Sequence, residues 1–169
     1  DKMGILVVDE IFDTWYSKKA DNDFHRIFSD WHEQDLRSFV RRDRNSPSVI
    51  IWSFGNEVSE QYSGDAGASV ARVLHNIIKE EDPTRPTTAA MNFAKPDSDL
   101  PEEMDLISMN YQGEGIRYDP SYSHLSGITT YPLYPDFHSA FPDKVIMSSE
   151  NAAALSTRGT YLFPITEGW

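Results

Sequence analysis

Short aliphatic runs alternate with amphipathic stretches along this chain. Ile5-Leu6-Val7-Val8 is the first run, and it stops at Asp9-Glu10. Phe24, Ile27, Phe28, Trp31, Leu36, Phe39 and Val40 then recur at spacings of three to five. That spacing predicts a helix with one apolar stripe, started by Asp21, Asn22 or Asp23 as a cap. Val49-Ile50-Ile51-Trp52-Ser53-Phe54 follows and stops at Gly55-Asn56-Glu57. Val70, Val73, Leu74, Ile77 and Ile78 make a second helical stripe, closed by Lys79-Glu80-Glu81-Asp82-Pro83. Thr87 to Met91, Leu106 to Met109 and Val145 to Ser149 read as three more strands, with a short helix expected over Asp136 to Ala140. The stretch from 112 to 130 reads as a long loop.

Nearly continuous apolar runs suit strands buried on both faces, as in a parallel sheet covered by helices. The first strand is followed by neither a GxGxxG turn nor a Walker A loop, which weakens an open dinucleotide- or nucleotide-binding sheet. The closed eight-stranded barrel fits better, and five strands make only part of one. The expected fold is therefore α/β, a partial TIM (β/α)8 barrel. Two open edges are a liability for an isolated sheet, and the chain starts at Asp1 with no initiating Met. Residues 1–169 are accordingly expected to be part of one catalytic barrel domain of a longer protein.

Composition narrows the chemistry. Lys and Arg number 15 against 27 Asp and Glu, a formal charge of −12. This argues against a nucleic-acid partner, which needs clustered cations, and against a polybasic membrane surface. The chain has no cysteine, which removes disulfides, thiolate metal sites and thiol nucleophiles. No apolar run approaches the roughly 20 residues of a membrane span. Compartment, oligomeric state and the presence of a homo-oligomer stay open.

The informative feature is where the strands stop. Four of the five end at Asp9-Glu10, Asn56-Glu57, Asn110-Tyr111 and Glu150. In parallel α/β folds the carboxyl ends of the strands converge on the active site. A single strand-end Glu can mark nothing more than the solvent boundary; repetition at equivalent places points to a site. Two carboxylates in a cleft suggest glycoside hydrolysis, one protonating the leaving oxygen and the other attacking the sugar carbon or activating water. No GxSxG elbow or HExxH helix competes. His25 and His32 read as surface or packing residues. The acidic stretch Asp97, Asp99, Glu102, Glu103 and Asp105 lacks EF-hand spacing and reads as a solvated loop.

These segments resemble glycoside hydrolase family 2, which includes β-galactosidases, β-glucuronidases and β-mannosidases. Ser48-Val49-Ile50-Ile51-Trp52-Ser53-Phe54-Gly55-Asn56-Glu57 is similar to that family's acid/base segment. Gly4 to Glu10 with Phe12-Asp13 and Trp15 looks like its third barrel strand, and Arg41 to Ser48 like the approach to the fourth. Asp82-Pro83-Thr84-Arg85-Pro86, Asp105 to Tyr111, and Ser148 to Ala153 with Ser156-Thr157-Arg158-Gly159 resemble strands five, six and seven. Barrel strands one, two and eight and the family's β-sandwich domains would lie outside this chain, as further parts of the parent protein.

The resemblance implies a retaining exo-β-glycosidase acting on terminal β-D-galactosides by double displacement. The alternatives are a β-glucuronidase or β-mannosidase of the same family, a glycosidase of a related barrel family, or a non-catalytic carbohydrate-binding barrel fragment. It implies Glu57 as acid/base and Glu150 as nucleophile; composition and spacing alone do not say which is which. Asn56 is expected on the sugar 2-hydroxyl, Tyr111 as a donor to Glu150, and Asp9 as a substrate-binding residue, with Asp9 or Glu10 paired to Arg41 or Arg42 as the structural alternative. Trp15 and Trp52 are candidates for stacking on sugar, Trp52 more as core. Arg117 and Arg158 are the cations a glucuronide would want. No cofactor is expected, and no magnesium site, because Glu10 to Trp15 contains no His.

Overall fold

A computed structural model describes residues 2–111, 120, 123–124 and 131–150. Its elements run β1 (Val7–Glu10), α1 (His25–Asp43), β2 (Val49–Asn56), α2 (Asp65–Glu81), β3 (Thr87–Met91), β4 (Ile107–Asn110), α3 (Tyr134–Ala140) and β5 (Ile146–Glu150). Short 3-10 turns at Ser59–Tyr62 and Leu100–Glu103 precede α2 and β4. All four strand pairings are parallel and in chain order, β1-β2-β3-β4-β5. The sheet curls into a half-barrel with its helices outside. Every polar strand ending therefore lies on one rim.

The core sits between sheet and helices. Trp52 packs edge-on against Phe39 of α1 at 5.3 Å, and Leu36, Val40, Leu74 and Ile78 close the layer around it. Two expected stripe residues of α1, Ile27 and Trp31, are instead 45% and 48% exposed, and so is Val73 of α2. They lie on the flanks of their helices; the inward arc of α1 is set by Phe28, Leu36, Phe39 and Val40. Helix α1 starts where Asp23 accepts the backbone N–H of His25, and Asp23 also pairs with the His25 ring. His32 stacks on Phe28 at 4.9 Å, a packing role. Burial on both faces holds for β3 and β4, whereas β1 and β5 alternate or open to solvent because each lacks a neighbour on one side.

Beneath the sheet, Asp82 ties three elements together. It accepts the Trp52 indole N–H at 2.9 Å, the Thr84 N–H and hydroxyl, and Arg85 Nη1 at 2.6 Å. Arg85 also donates to the Val49 and Ser46 carbonyls. Burial opposes the charge on Asp82, but the hydrogen bonds from Thr84, Trp52 and Arg85 hold its carboxyl well below the usual range. Next to it, hydrogen bonds from Arg41, and against burial from Arg37, pull Glu81 down to about 2. Both groups are depressed in the fold. Their stabilisation is thus present above their ordinary values of 3.8 and 4.5 and is lost as pH falls through the folded-state values. Asp82→Asn is expected to lower the barrel's melting temperature by roughly 5 °C at pH 7. The deficit should shrink as the pH is taken down toward 2, read by thermal melts of both proteins across that range.

Candidate functional site

The site is built from backbone irregularities at the strand ends. The β2–β3 pairing shifts register between Ser53 and Asn56, and β4–β5 shifts between Met109 and Asn110. Just beyond these shifts, Glu57 and Tyr111 adopt left-handed backbone with φ of 48° and 56°. A side chain rarely tolerates that region, and bulges and strained residues gather where a side chain must be re-aimed. The strain is held by lateral bonds: Glu57 N–H donates to the Ala90 carbonyl at 2.8 Å, and Tyr111 N–H to the Glu150 carbonyl at 2.9 Å. Phe12, after β1, is left-handed as well, and its carbonyl accepts the Asn56 N–H.

Asn110 is the centre of the arrangement. Its side-chain Nδ2 lies 2.9 Å from Glu57 Oε1, 2.9 Å from Glu150 Oε1 and 2.9 Å from Asn56 Oδ1. Its own Oδ1 accepts the Ser149 hydroxyl at 2.6 Å, which fixes the amide with Nδ2 toward the carboxylates. Two oxygens held at that distance from one nitrogen are separated by less than twice it. Tyr111 Oη donates to the other oxygen of Glu150. Asn56 turns its Nδ2 to Asp13 at 3.1 Å, and Lys19 Nζ bridges Asp13 and the Asn56 carbonyl at 2.9 and 2.5 Å. Glu57, Glu150, Asn56 and Tyr111 are therefore brought together.

Asp9 is not with them. Its carboxyl shares a hydrogen bond with Asp43 of α1, with Arg42 beside it, on the helix-facing side of β1. Successive strand residues face opposite ways, so Glu10 rather than Asp9 is turned toward the rim. Glu10 accepts the Ser53 hydroxyl at 2.7 Å. Burial, and then the nearby charges of Glu150 and Asp13, raise its carboxyl above the usual range, against the Ser53 hydrogen bond and Lys19. Burial and the hydrogen bond with Asp43 raise Asp9 above the usual range, while the hydrogen bonds with Arg42 and Asp9 lower Asp43. Arg41 does not reach the rim either; it binds Glu81 of α2.

Trp15 and Trp52 are both fully buried and do not face a ligand. Trp15 donates its indole N–H to the Phe54 carbonyl, and its ring lies where a Cβ on Gly55 would be, at 2.8 Å. Gly55 is thus the residue that lets the loop after β1 close over the end of β2. The sequence assigned no individual role to Asn110, Ser149, Asp13 or Lys19. The signal for Asn110 was its place at a strand end, directly before Tyr111. Residues 112–119, Arg117 among them, and residues 151–169, which include Arg158, the 156–159 motif and Trp169, lie outside the described residues. Among the described residues no group of His, Asp and Glu is arranged to hold a metal ion, and no helix is long and apolar enough to cross a membrane.

Residues 1–160 match the family described as "Glycosyl hydrolases family 2, TIM barrel domain". The sequence is 34% identical to the Beta-galactosidase BoGH2A of Bacteroides ovatus, over 97% of this chain and 21% of that protein. It is 28% identical to a Beta-glucuronidase of Streptococcus agalactiae, over 99% of this chain and 30% of that one. Among solved structures, a glycosyl hydrolase family 2 member from Bacteroides cellulosilyticus matches with a TM-score of 0.70 at 31% identity, covering 85% of this chain and 16% of that chain. The chain spans well under half the length of the curated relatives it matches.

Proposed function

The chain belongs to glycoside hydrolase family 2, and from that premise we propose that it carries the two catalytic carboxylates of a retaining exo-β-galactosidase. Glu57 is the general acid/base and Glu150 the nucleophile. The carrying observation is the position of Asn110 Nδ2, 2.9 Å from an oxygen of each. Oxygens of the two groups held that near to one nitrogen support the roughly 5–5.5 Å spacing of retaining enzymes over the roughly 6.5–9.5 Å gap that admits a water in inverting ones.

In the first half of the reaction, Glu57 gives its proton to the glycosidic oxygen as that bond breaks. Glu150 attacks the anomeric carbon and forms an ester bond to the sugar. In the second half, Glu57 takes a proton from water, whose oxygen attacks the anomeric carbon and releases Glu150. Tyr111 and Asn110 hold the two oxygens of Glu150 in fixed directions, so the attacking oxygen does not have to be oriented at the moment of reaction. Asn56, held between Asp13 and Asn110, meets the sugar 2-hydroxyl in this reading.

A neutral sugar suits this rim better than a uronic acid. Among the described residues, Glu10, Asp13, Glu57 and Glu150 face it, and Lys19 is already bound to Asp13 and to a carbonyl. A substrate carboxylate would meet repulsion there. The identity to the Bacteroides ovatus Beta-galactosidase points to galactose among neutral sugars. The rest of the barrel, in this reading, comes from the longer protein, of which residues 1–169 supply strands three to seven. In the full-length protein, kcat/KM for an aryl β-galactoside is expected to exceed that for the β-glucuronide by at least about 100-fold. The galactose first formed, followed by NMR before it mutarotates, should be the β-anomer. An α-anomer product overturns the nucleophile assignment, and a preference for the glucuronide overturns the sugar assignment.

A further inference from the structure

Tyr62 and Phe93 form an aromatic pair on the catalytic rim with no role in the mechanism above. Their ring centroids are 6.0 Å apart at 40°. They are 64% and 58% exposed, while Phe28, Phe54 and Phe137 are fully buried. One exposed aromatic means little; a fixed pair beside a reactive carboxylate is a different matter.

Three observations fix this pair. The 3-10 turn carrying Tyr62 starts two residues after Glu57. Phe93 lies two residues beyond the end of β3. The Glu57 N–H, bonded to the Ala90 carbonyl, pins those two strand ends side by side. Gln61, buried beneath the pair, then locks them. Its Oε1 accepts the Phe93 and Ala94 N–H groups at 3.1 and 3.2 Å, and its Nε2 donates to Asn92 Oδ1 at 2.8 Å. Behind the turn, α2 packs so closely that a Cβ on Gly67 would stand 2.0 Å from the Glu60 carbonyl oxygen. The backbone that carries the two rings is thus fixed, and the rings lie against each other. The phenol of Tyr62 also feels the site: partial desolvation by its neighbours first, and then the charge of Glu57, raise it above its usual range.

A general acid must reach the glycosidic oxygen, and the leaving group is attached to that oxygen. The ground next to Glu57 is therefore where the leaving group lies. We propose that Tyr62 and Phe93 are the platform for the aglycone, and that the aglycone is an uncharged group with a flat apolar face, a second pyranose ring or an aryl ring. Such a face buries apolar surface against the rings without asking for a charge partner. This rests on the reading of Glu57 as acid/base.

The test compares three substrates in the full-length protein: a β-galactosyl disaccharide, an aryl β-galactoside and β-galactosyl fluoride, whose leaving group has no ring and needs no proton. Phe93→Ala and Tyr62→Ala are each expected to lower kcat/KM for a ring-bearing substrate by about tenfold more than for the fluoride, chiefly through KM. Phe93→Trp should restore most of the loss. Whichever of the disaccharide and the aryl glycoside falls further names the aglycone class the platform takes. An equal loss on all three substrates means a structural role for the pair, and no loss on any means no contact; either overturns the proposal. Glu57→Ala run on the same three substrates reports separately on the acid/base reading, since it should spare kcat/KM for the fluoride whether or not the platform exists.

Discussion

Glu150→Gln in the full-length protein is expected to lower kcat by on the order of 10⁴-fold or more, with the fold unchanged. The substitution is nearly isosteric. The Gln carbonyl can still accept from Tyr111 Oη or from Asn110 Nδ2, the two donors that hold Glu150. What disappears is the negative oxygen that, in the proposed mechanism, forms the bond to the anomeric carbon. Neither Glu10 nor Asp13 can replace it: Glu10 is turned to Ser53, and Asp13 to Asn56 and Lys19. Rates with an activated aryl glycoside, together with an unchanged melting temperature, check this. Turnover within about tenfold of the original protein would end the nucleophile assignment.

Glu57→Ala is expected to separate substrates by their leaving groups. A positioned general acid contributes typically about 10²–10⁴-fold. That contribution is needed in full only when the departing oxygen is strongly basic. A glycoside of an alkyl alcohol or a sugar should therefore lose about 10³-fold in kcat/KM, whereas one with an acidic phenol should lose far less. Hydrolysis of the glycosyl–Glu150 ester would then become slow, because water loses its base. Azide is already an anion and needs none. It should attack the anomeric carbon from the side Glu57 vacated, displace Glu150 and give the β-glycosyl azide. Equal losses for all leaving groups, with no azide product, would remove Glu57 from the acid/base role.

Much of the architecture follows from local pattern. The aliphatic runs predict all five strands within a few residues, because a strand buried in a parallel sheet has little choice but Val, Ile, Ala and their like. The helical stripes place α1 and α2 for the same reason. The departures are local. Ile27, Trp31 and Val73 carry the right spacing but lie on helix flanks, and spacing alone does not say which arc of an apolar stripe meets the sheet. The segments that mark the family also divide by position in the fold. Asp82-Pro83-Thr84-Arg85-Pro86 lies beneath the sheet and holds Trp52, Val49 and Ser46. Asn56-Glu57, Asn110-Tyr111 and Glu150 lie on the rim.

The sequence by itself determined the order of strands and helices, the side of the sheet on which the polar endings collect, and the residue types available there. Those are properties of short segments, set by burial and backbone geometry within each one. Tertiary structure alone decided which of those residues meet. Asn110 reaches across 53 residues to Glu57 and 40 to Glu150, and no local pattern carries such a pairing. The parity of β1 sends Asp9 to α1 and Glu10 to the rim, and that choice is made by which face packs on the helix. The left-handed turns at Glu57 and Tyr111 are non-glycine residues held against their own preference by hydrogen bonds from neighbouring strands. Such strain persists only because the packed sheet around it leaves no cheaper arrangement.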